Sequence, residues 1–400
     1  MPMCPLPPAI LAKAIALSHW HEALHFGGTA WLILALWFLV RSGIASRIAT
    51  VASRVSSRGW LQGLIAIPAW LLILVLLELP ASLLGHHVNL RYGISVEGWG
   101  AWWVDWLKSL ALNLVLGVFV LSVLYAMLRR MPRRWWVAFW GFTVVVVVIG
   151  TYIAPLIVDP LFNRFQPLAQ TDPALVEKLE VVAARGGLQI PRDRIFLMDA
   201  SRRYTSPNAY VTGIGSSKRI VVWDTTLKEE SPNEILFTYG HEQGHYVLHH
   251  IPKGIAFAAL MFLVFYWIGS RLLAWLVRNK GPAWKIHAVS SWSSLGLVLL
   301  LLSVLSFLSE PLANSFSRMI EHQADVYGQE VIHGLVPDAQ ATVVHSFCSD
   351  AVLWLDNPSP SHFVEFWTYS HPSTEERAEF AAHYDPWGPG HSPRYFSRAR

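Results

Sequence analysis

A five-residue segment, His241-Glu242-Gln243-Gly244-His245, contains the side chains that a metal-dependent hydrolase needs. Histidines four positions apart on a helix share one face, so His241 and His245 can bind one Zn²⁺ through their imidazole rings. Glu242 lies beside the coordination position that a catalytic zinc leaves open. A carboxylate there can take a proton from the water that attacks the substrate. The spacing therefore predicts a zinc hydrolase with Glu242 as general base and one zinc ion per chain.

Two histidines leave a catalytic zinc one protein ligand short. The glycine and third histidine of a metzincin are absent, because Leu248 and Ile251 occupy those positions. Thermolysin-type sites take a glutamate from a later helix, and Glu321 is the best candidate. Asp325 lies one helical turn later on the same face, where it can accept a hydrogen bond from a ligand histidine, His241 being the expected donor. A helix with solvated surface charges is the alternative for this acidic pair.

Four other residues are of types that bind metals or form disulfides, but their spacing does not predict either role. His249 and His250 extend the histidine face, and we expect a structural or interfacial role for both, with extra ligands as the alternative. Cys4 and Cys348 give neither a disulfide framework nor metal-ligand spacing.

The composition indicates an integral membrane protein. Hydrophobic residues make up 53% of the 400 residues, charged residues only 14%, and the mean hydropathy is +0.37. Tryptophans lie at the ends of the apolar segments, as in an aromatic belt. The net charge of +4 comes with no basic stripe, so we expect a lipid bilayer but no nucleic acid as a partner. Six segments are long enough to cross a bilayer, at about 26–42, 60–84, 106–128, 134–158, 254–277 and 286–309.

The spans and the polar segments between them suggest the following organisation. Residues 1–25 form an N-terminal segment and 26–158 four transmembrane spans. A zinc peptidase domain follows in two parts, 159–252 with the HExxH helix and 310–380, on either side of two further spans in 253–309. Residues 381–400, with prolines and glycines, are predicted to be a loose tail.

Several non-degenerate strings in a fixed order resemble those of the integral-membrane CAAX prenyl proteases, the type 1 zinc endopeptidases of the endoplasmic reticulum, and their bacterial relatives. The similarity runs from about residue 60 to about 380. The matching strings are Pro160-Leu161-Phe162-Asn163-Arg164-Phe165-Gln166-Pro167-Leu168, Asn208-Ala209-Tyr210, the segment Lys218 to Leu227, HExxH, the Glu321-to-Asp325 segment, and Ser370-His371-Pro372 with Arg377.

The resemblance implies a mainly α, polytopic helical membrane protein whose spans enclose a water-filled chamber, capped by a thermolysin-like zinc peptidase domain with a small β-sheet. It also implies that His371, with Arg377 nearby, helps to stabilise the oxyanion or holds the substrate carbonyl, and that Arg377 contacts the substrate. Asn208, Ala209 and Tyr210 would pair with an extended peptide by strand addition. The implied activity is that of a membrane-embedded zinc metalloendopeptidase. Its partner would be a peptide or protein substrate, membrane-associated or carrying a prenylated CAAX-type anchor.

Charged loops bear on which side of the membrane the zinc domain occupies. By the positive-inside rule the loops richest in arginine and lysine are cytoplasmic, which puts the zinc domain on the outer side, periplasmic in a bacterial inner membrane. Eukaryotic members of the family are understood to face the cytosol, so the two indications disagree, and the loop charges favour the outer side. The basic residues of these loops are Arg41, Arg47, Arg54, Arg58, Arg129, Arg130, Arg133, Arg134, Arg278, Lys280 and Lys285.

Two other classes of function compete with a protease. Glu78 and Lys108, inside or near predicted spans, could mark an ion path, with HExxH as a zinc-carrying site of a transporter. An inactive relative that acts as a scaffold is the other alternative. Both leave the combination of Glu242 with a full ligand set unexplained. The sequence does not determine the oligomeric state or the natural substrate.

Overall fold

The computed structural model describes residues 3–188 and 190–396, and most of them are helical. Residues 1–2 of the predicted N-terminal segment and 397–400 of the predicted tail lie outside the described residues. The helices are α1 (Pro8–Glu22), α2 (Gly28–Arg41), α3 (Ile44–Val55), α4 (Gly59–Tyr92), α5 (Trp99–Arg130), α6 (Trp135–Ile153), α7 (Asp159–Phe162), α8 (Pro173–Arg185), α9 (Asp224–Glu229), α10 (Pro232–Val247), α11 (His250–Trp284), α12 (Leu295–Ile332), α13 (Ala339–Leu353), α14 (His362–Thr368) and α15 (Thr374–His383). The strands are β1 (Phe165–Pro167), β2 (Ile195–Met198), β3 (Ala209–Thr212) and β4 (Arg219–Trp223).

Six helical segments of the described chain are long and apolar enough to cross a membrane, as the sequence predicted. The first begins at Pro8, well before the predicted start at residue 26, because a π-helical turn at Ala23–Gly27 joins α1 to α2. The polar residues before residue 26 are the reason that the first span was predicted to start later. In the structure two of them, His21 and Glu22, line a cavity instead of facing lipid.

The basic loops lie together at one end of the bundle. Arg129, at the end of α5, donates a hydrogen bond to the carbonyl of Ser290, before α12, at 3.3 Å. The indole of Trp292 donates to the carbonyl of Gly59 at the start of α4, at 2.9 Å. Because successive spans alternate in direction, the HExxH helix and the sheet lie at the opposite end.

The sheet forms part of the peptidase half of the molecule, the predicted peptidase domain of residues 159–252 and 310–380. Its strand order is β1-β2-β4-β3, with β2 and β4 parallel and the two outer pairs antiparallel. Alternate side chains of β2 and β4 point into the core shared with α8 and α10. They are Ile195, Leu197, Ile220 and Val222. The sheet therefore holds β3 as an edge strand beside the HExxH helix.

A disulfide bond ties the N-terminus to the peptidase half. Cys4 and Cys348, on α13, are bonded with a Cα–Cα distance of 4.9 Å. The Glu375 carboxylate also accepts the backbone N–H of Cys4 at 3.2 Å. This disulfide was not predicted, because 344 residues separate the two cysteines and only the tertiary fold brings them together.

The C-terminal segment up to residue 396 is bound to the peptidase core, unlike the loose tail that its composition suggested. The fully buried Glu330 carboxylate accepts the backbone N–H groups of Arg394 and Tyr395 at 2.6 and 2.8 Å. Tyr395 and Phe396 pack against this core beside Tyr327. A buried carboxylate needs donors, and the backbone of this segment supplies them.

Candidate metal centre and active site

The helix that carries HExxH begins with a complete capping box. Ser231 accepts the backbone N–H of Glu234, and the Glu234 carboxylate accepts the backbone N–H of Ser231 at 2.7 Å. Pro232 occupies the first turn, where its missing N–H costs nothing. These residues fix where α10 begins and hence which face carries His241 and His245.

Glycines let α10 and α12 approach closely. A Cβ on Gly240 would lie 2.6 Å from Cγ1 of Val331, and one on Gly328 would lie 3.0 Å from the backbone nitrogen of His241. Neither side chain could be accommodated without moving the helices apart. The contact brings the histidine face of α10 against Glu321 and Asp325 of α12.

Three donor atoms converge between the two helices. Nε2 of His241 lies 3.1 Å from Oε2 of Glu321 and 3.2 Å from Nε2 of His245, and the remaining side of the triangle is 3.5 Å. Ligands bound to a tetrahedral zinc at about 2.0–2.2 Å are roughly 3.3–3.5 Å apart, so the triangle has the size of such a site. Two imidazole nitrogens presenting lone pairs at this distance, with a carboxylate beside them, suit a cation. The donor set therefore fits a metal ion.

His241 is oriented by a charged pair. Its Nδ1 lies 2.9 Å from Oδ1 of Asp325, so Nδ1–H donates to the carboxylate and Nε2 keeps its lone pair for a metal. Arg377 donates to both oxygens of Asp325, at 2.9 and 2.6 Å. Burial alone would lower the pKa of the Arg377 guanidinium, but the Asp325 carboxylate outweighs burial and raises it. The expected Asp325 contact is present, and Arg377, expected near the substrate, has its guanidinium on Asp325.

Glu242 joins the metal centre to the sheet. Its Oε2 accepts the backbone N–H of Val211, on β3, at 3.1 Å. Burial raises the pKa of Glu242, whereas the neighbouring His241 and His245 act to lower it. A carboxyl with a raised pKa is a better proton acceptor than an ordinary glutamate, as a general base requires.

A cavity of about 790 Å³ lies in front of these residues. Asn208 and Ala209 line it, as expected for strand addition, whereas the Tyr210 ring packs with Met198 in a separate cluster. The Asn208 carbonyl accepts the backbone N–H of Trp223, so its hydrogen bonds point into the sheet. The N–H and C=O groups of successive strand residues point to opposite sides of the strand. Those of Ala209 therefore point away from the sheet, towards the cavity.

His371 lies at the cavity and reaches the metal centre. Its Nε2 is 3.2 Å from Oε2 of Glu321, and its Nδ1 is 3.0 Å from the hydroxyl of Ser370. Half of its side chain is exposed, so the ring can contact a bound substrate. The loop before α15 thus brings the predicted oxyanion residue beside the ligand triangle.

Sequence reasoning missed the residues that depend on tertiary contacts. The spacing pointed to Asp325 but not to its bond with Arg377, which lines the cavity, as expected of a residue near the substrate, and also binds Asp325. His250, expected to be structural or interfacial, has its Nδ1 3.0 Å from Nδ1 of His245. The acids Glu230, Asp350 and Asp356 line the cavity and carry no local motif that could have singled them out.

Comparison with known proteins identifies the family. The family model for peptidase family M48 matches residues 169–385, which include the triangle, Glu242 and His371. This chain belongs to peptidase family M48. A second model, described as the CAAX prenyl protease N-terminal, five membrane helices, matches residues 16–164. Together the two M48-related matches span both halves of the molecule.

Similar proteins agree with the family. An uncharacterized metalloprotease of Bacillus subtilis, YhfN, is 33% identical over 374 residues, covering 94% of this chain and 86% of that protein. A CAAX prenyl protease 1 homolog of Oryza sativa is 29% identical over 306 residues, covering 75% and 68%. The crystal structure of S. mikatae Ste24p superposes with a TM-score of 0.80 at 22% identity, covering 95% of this chain and 90% of that one.

Several expectations are thereby confirmed. The chain is a membrane metalloprotease of the M48 family with the predicted mainly helical, multi-pass fold and a small sheet. Membership of M48 implies a bound metal, and His241, His245 and Glu321 form the one group of donors suited to it among the residues that the structure describes.

Proposed function

We propose that this chain is a zinc metalloendopeptidase that cleaves extended segments of membrane-associated polypeptides, CAAX-type prenylated chains included. The observation that carries the proposal is the ligand triangle with Glu242 beside it, open to a cavity lined by an edge strand. The names of the relatives support the CAAX-type class, because several are CAAX prenyl proteases.

His241, His245 and Glu321 would hold the zinc. When bound, the ion polarises the scissile carbonyl and lowers the pKa of a coordinated water. Glu242 accepts a proton from the attacking water and passes it to the leaving amine. His371 donates to the developing oxyanion. The outward backbone of Ala209 hydrogen-bonds the peptide main chain, which holds an extended substrate without reading its sequence.

The activity is tested with quenched fluorescent peptides, with and without a farnesylated cysteine, and purified protein in detergent. Replacing Glu242 with Gln should lower kcat by about 10²–10⁴-fold while one zinc per chain stays bound, because the proton acceptor is lost and the ligands are kept. Glu177→Gln, an exposed glutamate of α8, is the matched control and should keep full activity. Unchanged cleavage by Glu242→Gln would refute the proposed mechanism.

We further propose that the active site faces the outer side of a bacterial inner membrane. Two independent features support this side. The basic loops gather at the end opposite the peptidase half, as the positive-inside rule requires of a cytoplasmic end. The Cys4–Cys348 disulfide lies in the peptidase half, and disulfides persist in oxidising compartments.

Sidedness is tested by labelling with a membrane-impermeant maleimide. The described residues contain no free cysteine, so single introduced thiols report cleanly. Ser359→Cys, exposed in the peptidase half, should react in intact spheroplasts, and Ser57→Cys, exposed in the first basic loop, only after lysis. The reverse pattern would place the active site in the cytoplasm.

A further inference from the structure

His245, the second histidine of the HExxH motif, is oriented by a different hydrogen-bond partner from His241. His250 is the first residue of α11 and is only 2% exposed. The preceding residue, His249, has a left-handed backbone with φ 58°, which turns the chain sharply after α10. Residues other than glycine adopt this conformation at a cost, so the turn is held by the contacts it makes. The turn brings the His250 ring back against His245.

Hydrogen bonds link His250 to α10 and to α12. Its Nδ1 lies 3.0 Å from Nδ1 of His245, and its Nε2 lies 3.3 Å from Oε1 of Gln323. An amide oxygen only accepts, so Nε2 of His250 carries the hydrogen. A neutral imidazole has one donor, which makes Nδ1 of His250 an acceptor. His245 must then donate from Nδ1, and its Nε2 is left with the lone pair.

The opposite arrangement of protons is incompatible with metal binding. It would place a hydrogen on Nε2 of His245, the atom that lies 3.2 Å from Nε2 of His241 and 3.5 Å from the Glu321 carboxylate. The chain from Gln323 through His250 therefore selects the tautomer in which His245 can act as a ligand. The described structure gives His245 no carboxylate at Nδ1, in contrast to Asp325 at Nδ1 of His241.

We infer that His250 is a positioning residue for the metal site: its Nδ1 accepts the Nδ1–H of His245 and holds Nε2 of that histidine towards the metal, while Gln323 fixes the tautomer of His250. The inference rests on the proposed function, since it takes His245 as a metal ligand. An imidazole in this role gives orientation without adding a negative charge to the site.

The test compares two variants of nearly equal shape. In His250→Asn the amide oxygen takes the place of Nδ1 and can still accept from His245, whereas His250→Leu offers no acceptor. Zinc affinity is measured on the metal-free full-length protein in detergent, by competition with a chromophoric chelator. We expect His250→Leu to bind zinc about 10–100-fold more weakly than the unaltered protein, as for other residues that orient metal ligands. His250→Asn should recover most of this loss.

Controls separate positioning from folding. His249→Asn changes the exposed neighbouring histidine, tolerates the left-handed backbone and should leave zinc affinity unchanged. Thermal unfolding of the metal-free variants reports on the fold. If His250→Leu does not fold, Gln323→Leu serves instead: it keeps the ring but frees its tautomer, and zinc affinity should fall several-fold.

Three outcomes would overturn the inference. Unchanged zinc affinity in a folded His250→Leu or Gln323→Leu would show that His245 needs no acceptor. Equal losses in the Asn and Leu variants would show that ring packing matters rather than the hydrogen bond. Failure of the unaltered protein to bind zinc would overturn the metal assignment itself, and this is distinguishable because it appears before any substitution.

Discussion

Two sets of partly or fully buried acids lie within one active site and differ in their partners. Asp325 on α12 accepts two hydrogen bonds from Arg377 and one from His241. Glu230 and Asp350 line the cavity, and no lysine or arginine among the described residues forms an ion pair with them. The Glu230 carboxylate accepts a hydrogen bond from the Thr238 hydroxyl at 3.0 Å.

Because of this difference in partners, Asp325 is charged near neutral pH, whereas Glu230 and Asp350 tend to be protonated. Burial raises the pKa of Glu230 to about 8, and the neighbouring Asp350 adds to the increase. Burial likewise raises the pKa of Asp350 to about 7, although Arg377 opposes the increase at a distance. Despite its burial, Asp325 thus stays an anion beside the metal centre because the Arg377 cation bonds it directly and lowers its pKa. The others take up protons near neutral pH.

The largest effect is expected from removing the cation that distinguishes the two sets. Arg377→Met should leave the Asp325 carboxylate, 3% exposed, with His241 as its one remaining hydrogen-bond partner among the described residues. Breaking a buried ion pair from one side costs about 3–5 kcal/mol, which should lower the thermal unfolding temperature of the metal-free protein in detergent. Adding Asp325→Asn should restore part of the stability, because the unpaired charge is then gone. A double variant less stable than Arg377→Met would contradict the ion-pair argument.

This comparison also shows what local sequence can predict. Glu321 and Asp325 were found because both lie on one helix face, and the six spans because composition follows the bilayer. The contacts of Arg377 with Asp325 and of His250 with His245 were not predicted, for one reason: each pair joins residues of two different helices. The first span was predicted to start too late for a related reason. Hydropathy cannot distinguish a polar residue that faces a cavity from one that ends a helix.

The intermediate effect concerns the unpaired set and depends on pH. The pKa of Glu230 in the folded chain, about 8, lies above the unfolded value of 4.5, so folding favours the protonated form. Its contribution to stability is complete below pH 4.5 and is lost as the pH rises to about 8. Glu230→Gln should therefore gain little over the unaltered protein at pH 5 and be clearly more stable at pH 8. We expect a gain of about 1–3 kcal/mol, smaller than the full pKa shift implies because Glu230 is only partly buried.

Unfolding temperatures measured at several pH values check this prediction. Glu229→Gln, the adjacent glutamate paired with Lys228, is the matched control and should show no such pH-dependent gain. A gain that is the same at pH 5 and pH 8 would mean that Gln acts through packing and that Glu230 is not protonated on folding.

The smallest effect tests whether the unpaired acids influence one another. Asp350→Asn should also stabilise at pH 8, and its charge is one reason for the raised pKa of Glu230. Once either acid is neutral the other is easier to ionise, so the combined gain should fall short of the sum by about 0.5–1 kcal/mol. At pH 5 both carboxyls are largely protonated in the folded chain, so the repulsion between them should vanish and the effects of the two substitutions should add. Full additivity at pH 8 would mean that burial alone sets these pKa values. The contrast with Asp325 would then depend on its ion pair with Arg377 and not on repulsion within the cavity.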